Sequence, residues 1–300
     1  LAARHTRRPI FATLHNYRLI HPSTSLYSNG EVIDDKIKEG KVFYGGEFFQ
    51  HSSLFTLKLC LNNWVARKLL KWNGDNIRLL CVSEVVKEMY QKAGFNNNSL
   101  VVHHNFLMND TNSNPLIERE NVKNHGDYLL FMGRLEEEKG IIKFLKNYMA
   151  IREEIPFNIV VCGSGYLEKE LKELMKQNNW IFHYPYVSGA LKENLISSAK
   201  AILVPSVWYE TFGFTIIEGF KNKVPAVVSD TVGRNKIVED NYNGLIYKDA
   251  DSMMRCLKLL KEKETLDKLK ESGYKSFVNN YSEDIGYEHL LKCYNELLVP

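Results

Sequence analysis

VPSVWYETFGFTIIEGF, Val204 to Phe220, passes from strand through loop to helix within one short segment. Ala201 to Pro205 is a continuous apolar run, the pattern of a strand buried on both faces. From Phe214 to Phe220 the side chains Ile216, Ile217 and Phe220 recur at helical spacing. A buried strand handing over to an inward-facing helix is the repeating unit of a parallel α/β sheet. Ser206 to Phe212 is the loop between them, and Gly213 stands where the loop becomes helix. Amides of a first helical turn lack intrahelical partners and attract anions, and a glycine there lets a phosphate come close to the backbone. Glu210 precedes the turn and Glu218, eight positions later, lies one turn inside the helix. The two carboxylates can therefore accept hydrogen bonds from hydroxyls on opposite sides of one anion. Taken alone, the pair also suits surface and capping acids, so the surrounding sequence has to decide.

Outward from this unit, short apolar runs alternate with longer amphipathic ones. The predicted strands are Ile10 to Leu14, Ile77 to Val82, Leu100 to His103, Tyr128 to Met132, Phe157 to Cys162, Trp180 to His183, Ala201 to Pro205, Pro225 to Ser229 and Gly244 to Tyr247. Strands separated by helix-length segments argue for parallel sheets with crossover helices. Ser83 is placed to cap a helix over Glu84 to Lys92, with Gly94 just beyond it, and Asp251 to cap one from Ser252 to Lys261. Met108 to Asp127 is the one long polar, linker-like stretch, and the domain boundary is placed there: residues 1–120 form one Rossmann-like domain and 121–283 a second. The second has the strands of a complete doubly wound sheet. The first has few for its type, and the chain begins at Leu1, so an incomplete N-terminal domain is expected. Ile20 to Phe49 is irregular and holds Gly30, Gly40, Gly45 and Gly46, which reads as a mobile loop with glycines at its turns.

Composition is that of an ordinary globular protein: 300 residues, 25% charged, 44% hydrophobic, with a net charge of +3 spread along the chain. Such a weak, interspersed charge does not fit a nucleic-acid binder and leaves small anions as the expected partners. The five cysteines are widely spaced without a CxxC pair, and with no membrane-length apolar run or signal peptide, a cytoplasmic location is expected. Leu54 to Trp72 carries Lys58, Arg67, Lys68 and Lys71 among apolar positions that wrap around most of the helix. That favours a buried helix with snorkelling cations over a membrane-surface one.

FMGRLEEEKG, Phe131 to Gly140, ends a strand and presents Arg134 and Lys139 before a helix. Arginine offers a planar fork and lysine a mobile point charge, a pair able to neutralise a diphosphate; equally, both can be solvated partners of Glu136 to Glu138. ATLHNYRLIHP, Ala12 to Pro22, sets His15 at the carboxyl end of a strand, where ligands of open α/β sheets gather and where a histidine can donate to a ligand or simply pack.

ETFGFTIIE, with the other motifs in the same order, resembles the retaining glycosyltransferases of family 4, which have the GT-B fold and an E-x7-E pattern. The resemblance spans nearly the whole chain and is strongest from Tyr128 to Tyr247. It implies two Rossmann-like domains facing across a cleft, with the helix over Asp284 to Leu298 crossing back to the first domain. Arg134 and Lys139 match the family's GR-x(n)-KG loop, which binds the donor's diphosphate. His15 matches a histidine approaching the donor sugar, and HNYRL is similar to a variant of surface-polysaccharide transferases. VCGSGYLEKEL, Val161 to Leu171, resembles its G-x-G-x(n)-L element, and Tyr184 to Val187 the segment that seats the base. By this resemblance Glu210 holds the transferred sugar and Glu218 the ribose, while Gly213, Phe214 and Thr215 meet the phosphates and Val187 the base.

The expected ligand is then a nucleotide-diphosphate sugar, the acceptor a glycan or polyprenyl-linked molecule, and a contact with the inner face of the membrane a secondary expectation. DAD, Asp249 to Asp251, resembles a metal-binding DxD, and His103 and His104 are adjacent, but alternate residues of a strand face opposite ways; no metal or cofactor is expected. Departures from the family pattern are VGRNK, Val232 to Lys236, with lysine where an acid is usual, and the lack of a first strand with its glycine-rich loop. Two alternatives stay open: a nucleotide-sugar epimerase of the same layout, and a non-catalytic nucleotide-binding subunit.

Overall fold

The protein was analysed as a computed structural model, which describes residues 9–21, 24–28, 30–32, 37, 53–72, 76–108, 125–233 and 236–298. β1 (Ile10–Leu14) is followed by a short antiparallel hairpin, β2 (Tyr27–Ser28) and β3 (Glu31–Val32), then α1 (Ser53–Trp72), β4 (Ile77–Cys81), α2 (Glu84–Lys92) and β5 (Leu100–Val102). β1, β4 and β5 form a parallel sheet in the order β1-β4-β5, with Leu14 opposite Cys81 and Cys81 opposite Val102. α2 buries Val85, Val86, Met89 and Tyr90, one face at helical period. Its first turn is closed by Ser83, whose hydroxyl accepts from the Val86 amide at 3.4 Å.

The second sheet is built from β6 (Tyr128–Met132), α3 (Ile141–Met149), β7 (Asn158–Cys162), α4 (Glu168–Gln177), β8 (Ile181–Tyr184), α5 (Gly189–Ser198), β9 (Ala201–Val204), α6 (Phe214–Lys221), β10 (Ala226–Ser229), α7 (Asp230–Gly233) and β11 (Gly244–Tyr247). Its order is β11-β10-β9-β6-β7-β8, parallel throughout. Successive residues face opposite layers: Leu130, Ile202 and Val228 join one apolar cluster, Leu129, Leu203 and Val227 the other. Burial on both faces is why these strands read as unbroken apolar runs. Chain direction across the sheet reverses between β6 and β9, which opens a crevice at their carboxyl ends.

α8 (Ala250–Leu259), α9 (Lys263–Asn280) and α10 (Glu283–Leu298) complete the chain. α10 returns to the first sheet. Tyr294 meets Phe11 edge-on at 4.4 Å, the His289 and His103 rings approach to 3.1 Å between Nδ1 atoms, and Phe106 packs on Gly286. Among the described residues no helix is long and apolar enough to cross a membrane.

Each predicted strand forms with its ends within one residue. Two local expectations are corrected. The cap of α8 is Asp249, not Asp251: its carboxylate accepts from the Ser252 amide at 2.9 Å while Ser252 reciprocates, so the helix starts two residues earlier than expected. α1 is not wrapped by protein. Thr56, Cys60, Asn63 and Arg67 face inward, whereas Leu54, Leu57, Leu61, Trp64 and Val65 are exposed. The inward face is set by Arg67, which donates to the Ala93 carbonyl and lies over the Phe95 ring. Most of Met108 to Asp127, together with Gly40, Gly45, Gly46, Arg234 and Asn235, lies outside the described residues.

Candidate functional site

The crevice at the ends of β6 and β9 is shaped by two loops that touch through their backbones. Gly140 has φ +70°, and a Cβ there would stand 2.1 Å from the Pro205 carbonyl oxygen. Only glycine permits both that conformation and that approach. The Val207 amide donates to the Glu138 carbonyl at 2.9 Å, which locks the Arg134–Gly140 loop to the end of β9. This contact brings Lys139 opposite Glu210, with Nζ 2.8 Å from Oε2 and both side chains largely buried. The Ser206 hydroxyl donates to the same oxygen at 3.3 Å, and Lys139 Nζ lies 5.2 Å from the Trp208 ring centre. Tyr17, under Trp208, is buried, and burial together with the Glu210 charge raises its phenol well above the ordinary tyrosine range.

Two cavities meet at the start of α6. The first, about 270 Å³, is lined by His15 and Asn105 of the first domain and by Lys139, Glu210 and Gly213 of the second. The other, about 450 Å³, is lined by Arg134, Val187, Lys192 and Glu218. Phe214 and Thr215 belong to both. Gly213, at φ +107°, turns the loop into α6, whose first-turn residues Phe214 and Thr215 border the junction. A larger cavity, about 490 Å³ beside Tyr27 and Tyr166, contains none of the residues expected at the site.

The chemistry this permits is specific: an anion at the junction, flanked by one carboxylate in each cavity. Arg134 is the looser member. It is mostly exposed and pairs with Glu136 and with Glu138, the latter at 3.4 Å. Burial, reinforced by Glu136 and opposed by Arg134, pushes the Glu138 carboxyl up.

The family described as glycosyl transferases group 1 matches residues 113–276, which include both loops, both carboxylates and the whole second sheet. The chain belongs to that family. An uncharacterized glycosyltransferase of Methanocaldococcus jannaschii is 29% identical over 163 residues, covering 52% of this chain and 40% of that protein. Alpha-D-kanosaminyltransferase of Streptomyces kanamyceticus is 23% identical over 176 residues, covering 56% and 45%. These matches span less than half of each relative. Among solved structures, Anabaena HepE in complex with UDP and glucose superposes with a TM-score of 0.67 at 13% identity, over 98% of this chain and 73% of that one. The fold is GT-B, two Rossmann-like sheets whose carboxyl ends face one crevice.

In this group 1 chain the structure gathers His15, Lys139, Glu210 and Gly213 around one cavity and Arg134, Val187 and Glu218 around the next, with Phe214 and Thr215 at the shared edge. Three site residues escape sequence reasoning. Ser206 is one more serine at a strand end, Asn105 lies in an irregular segment, and Lys192 sits on a helix with no motif around it. Lys192 Nζ lies 2.6 Å from Glu218 Oε1. Asp249, within the DxD-like segment, spends its carboxylate on the α8 cap.

Proposed function

We propose that the protein transfers a sugar from a nucleotide-diphosphate donor to a glycan or polyprenyl-linked acceptor, with retention at the anomeric carbon, as in the resembled family 4. The observation that carries this reading is the Lys139–Glu210 pair at the sheet's switch point, one helix start away from Glu218. The complex of HepE with UDP and glucose supports a donor of this class.

In this mechanism Lys139, Arg134 and the amides of Gly213 to Thr215 stabilise the charge that grows on the leaving diphosphate. They do so without a metal. Glu210 accepts from hydroxyls of the transferred sugar, Glu218 from the ribose, Val187 borders the base, and His15 donates to the sugar from the opposite domain. The acceptor oxygen bonds to the anomeric carbon on the face the phosphate leaves, and the departing phosphate oxygen takes the acceptor's proton. Glu210 positions the sugar and carries no covalent intermediate.

Glu210→Gln tests this. Turnover should fall by about a hundredfold while nucleotide affinity changes by less than about threefold, and the wild-type rate should survive EDTA. Equal kinetics for the variant would remove Glu210 from the reaction. An altered sugar nucleotide formed from donor alone would support an epimerase instead.

A membrane-borne acceptor is supported by α1, whose exposed Leu54, Leu57, Leu61 and Trp64 lie on a helix with exposed Lys58 and Lys68 and no acidic residue. Apolar side chains beside cations suit an anionic lipid surface. Flotation with vesicles containing anionic lipid should carry the protein upward. Retention in the soluble fraction would count against this.

A further inference from the structure

Lys192 has no role in the reading above, although it occupies the nucleoside-side cavity. It projects from α5, which follows β8, and its Nζ lies 2.6 Å from Glu218 Oε1 on α6. Both side chains are mostly buried: 29% of Lys192 and 17% of Glu218 remain exposed. The pair is not needed to join the two helices. Asn222 already links them, donating to Glu193 at 3.2 Å and to the Glu218 carbonyl at 2.9 Å. Nor does α5 depend on Lys192 for packing, because Leu195 and Ile196 supply its buried contacts. A glutamate on an isolated helix face samples several rotamers, and fixing one costs entropy that a bound ligand must otherwise supply. A lysine bonded to one oxygen removes that freedom and leaves the other oxygen to accept.

We infer that Lys192 is a positioning residue: it holds Oε1 of Glu218 so that the second oxygen is presented to the ribose hydroxyls of the donor. The inference rests on the proposed function, since it presumes a ribose in this cavity. The two helices are joined and packed without this pair, so its effect is read in ligand discrimination. Lys192 sets how strongly the site distinguishes a ribonucleotide from its 2′-deoxy form.

The test is calorimetric titration of the protein with UDP and with 2′-deoxyuridine diphosphate. The wild type should prefer UDP by about tenfold, the size of one charge-assisted hydrogen bond. Lys192→Met, which keeps the stem and removes the charge, should weaken UDP by about that factor while the 2′-deoxy ligand changes by less than about twofold. Lys192→Arg should restore the preference. In a Glu218→Gln background the preference should already be gone, with Lys192→Met adding nothing, as coupled residues require. An equal loss of both ligands, or an unchanged ratio, would overturn the inference. So would an effect confined to UDP against guanosine diphosphate, which would make Lys192 a reader of the base. If the wild type bound neither uridine nor guanosine diphosphate, the donor reading and this inference would fall together; binding with an unchanged ratio of ribo to 2′-deoxy ligand fells the inference alone.

Discussion

At Gly163 the backbone has φ +141°, and a Cβ would stand 1.9 Å from the carbonyl oxygen of Gly133. Neighbouring bonds pin this contact: the Gly133 amide donates to Cys162, and the Gly163 amide to Tyr184. Neither strand end can retreat without breaking one of them. The glycine therefore fixes where the Arg134–Gly140 loop leaves the sheet, and with it the position of Lys139. Gly163→Ala combines a disfavoured backbone region with a backbone clash, and should destabilise by at least about 2 kcal/mol. A urea denaturation midpoint lowered accordingly, with weakened nucleotide binding by the surviving folded fraction, would bear this out. An unchanged midpoint would mean that the loop yields. The sequence shows a GxG and no more: a turn is legible from it, whereas the partner of the close approach, thirty positions earlier, belongs to the register of β6 with β7.

Elements were legible where local chemistry and burial agree. β6 and β9 are apolar throughout, and β10 up to its last residue Ser229, because both faces are covered, and Ser83 caps α2 as its position before Glu84 implies. Its second bond was not legible. The Ser83 hydroxyl also donates to the Thr211 carbonyl at 2.5 Å, tying the first domain to the loop that carries Glu210. Ser83→Ala should therefore cost more than an ordinary cap, about 2 kcal/mol against the usual 1, and lower turnover through the loop. A loss below about 0.5 kcal/mol in chemical denaturation would rule out that double role. α1 shows the limit of sequence reasoning. Its apolar residues surround the axis, so periodicity could not choose a buried face; tertiary contacts of Arg67 with Ala93 and Phe95 chose one built largely from polar side chains.

Across the whole molecule one apolar cluster runs from Leu79 of β4 and Val86 of α2 through Tyr17, Trp208 and Phe212 into Ile216 of α6 and Val228 of β10. α10 adds a second bridge, which includes a polar contact beside the aromatic ones. His103 follows β5 and meets His289 on α10, with His104 beside it against Phe212 and Tyr281. Burial, with His289 and His104 adding to it, lowers His103 from 6.5 to about 4. Burial alone does the same for His21. His104 is also lowered by burial, although its bond to the Val82 carbonyl and the charge of Glu84 act the other way. A histidine depressed in the fold takes up its proton in the unfolded chain first, so the unfolded state binds more protons between the two values and stability rises with pH across that window. The contribution of His103 and His21 is complete above about pH 6.5 and is lost as the pH falls towards about 4, and His104 acts in the same direction. Tm should accordingly decline over that interval, above the range where most carboxylates titrate. His103→Gln, which keeps a hydrogen-bonding group but cannot titrate, should flatten the curve. If the variant and wild type lose Tm in parallel, the contact of α10 with the first sheet is not what senses the proton.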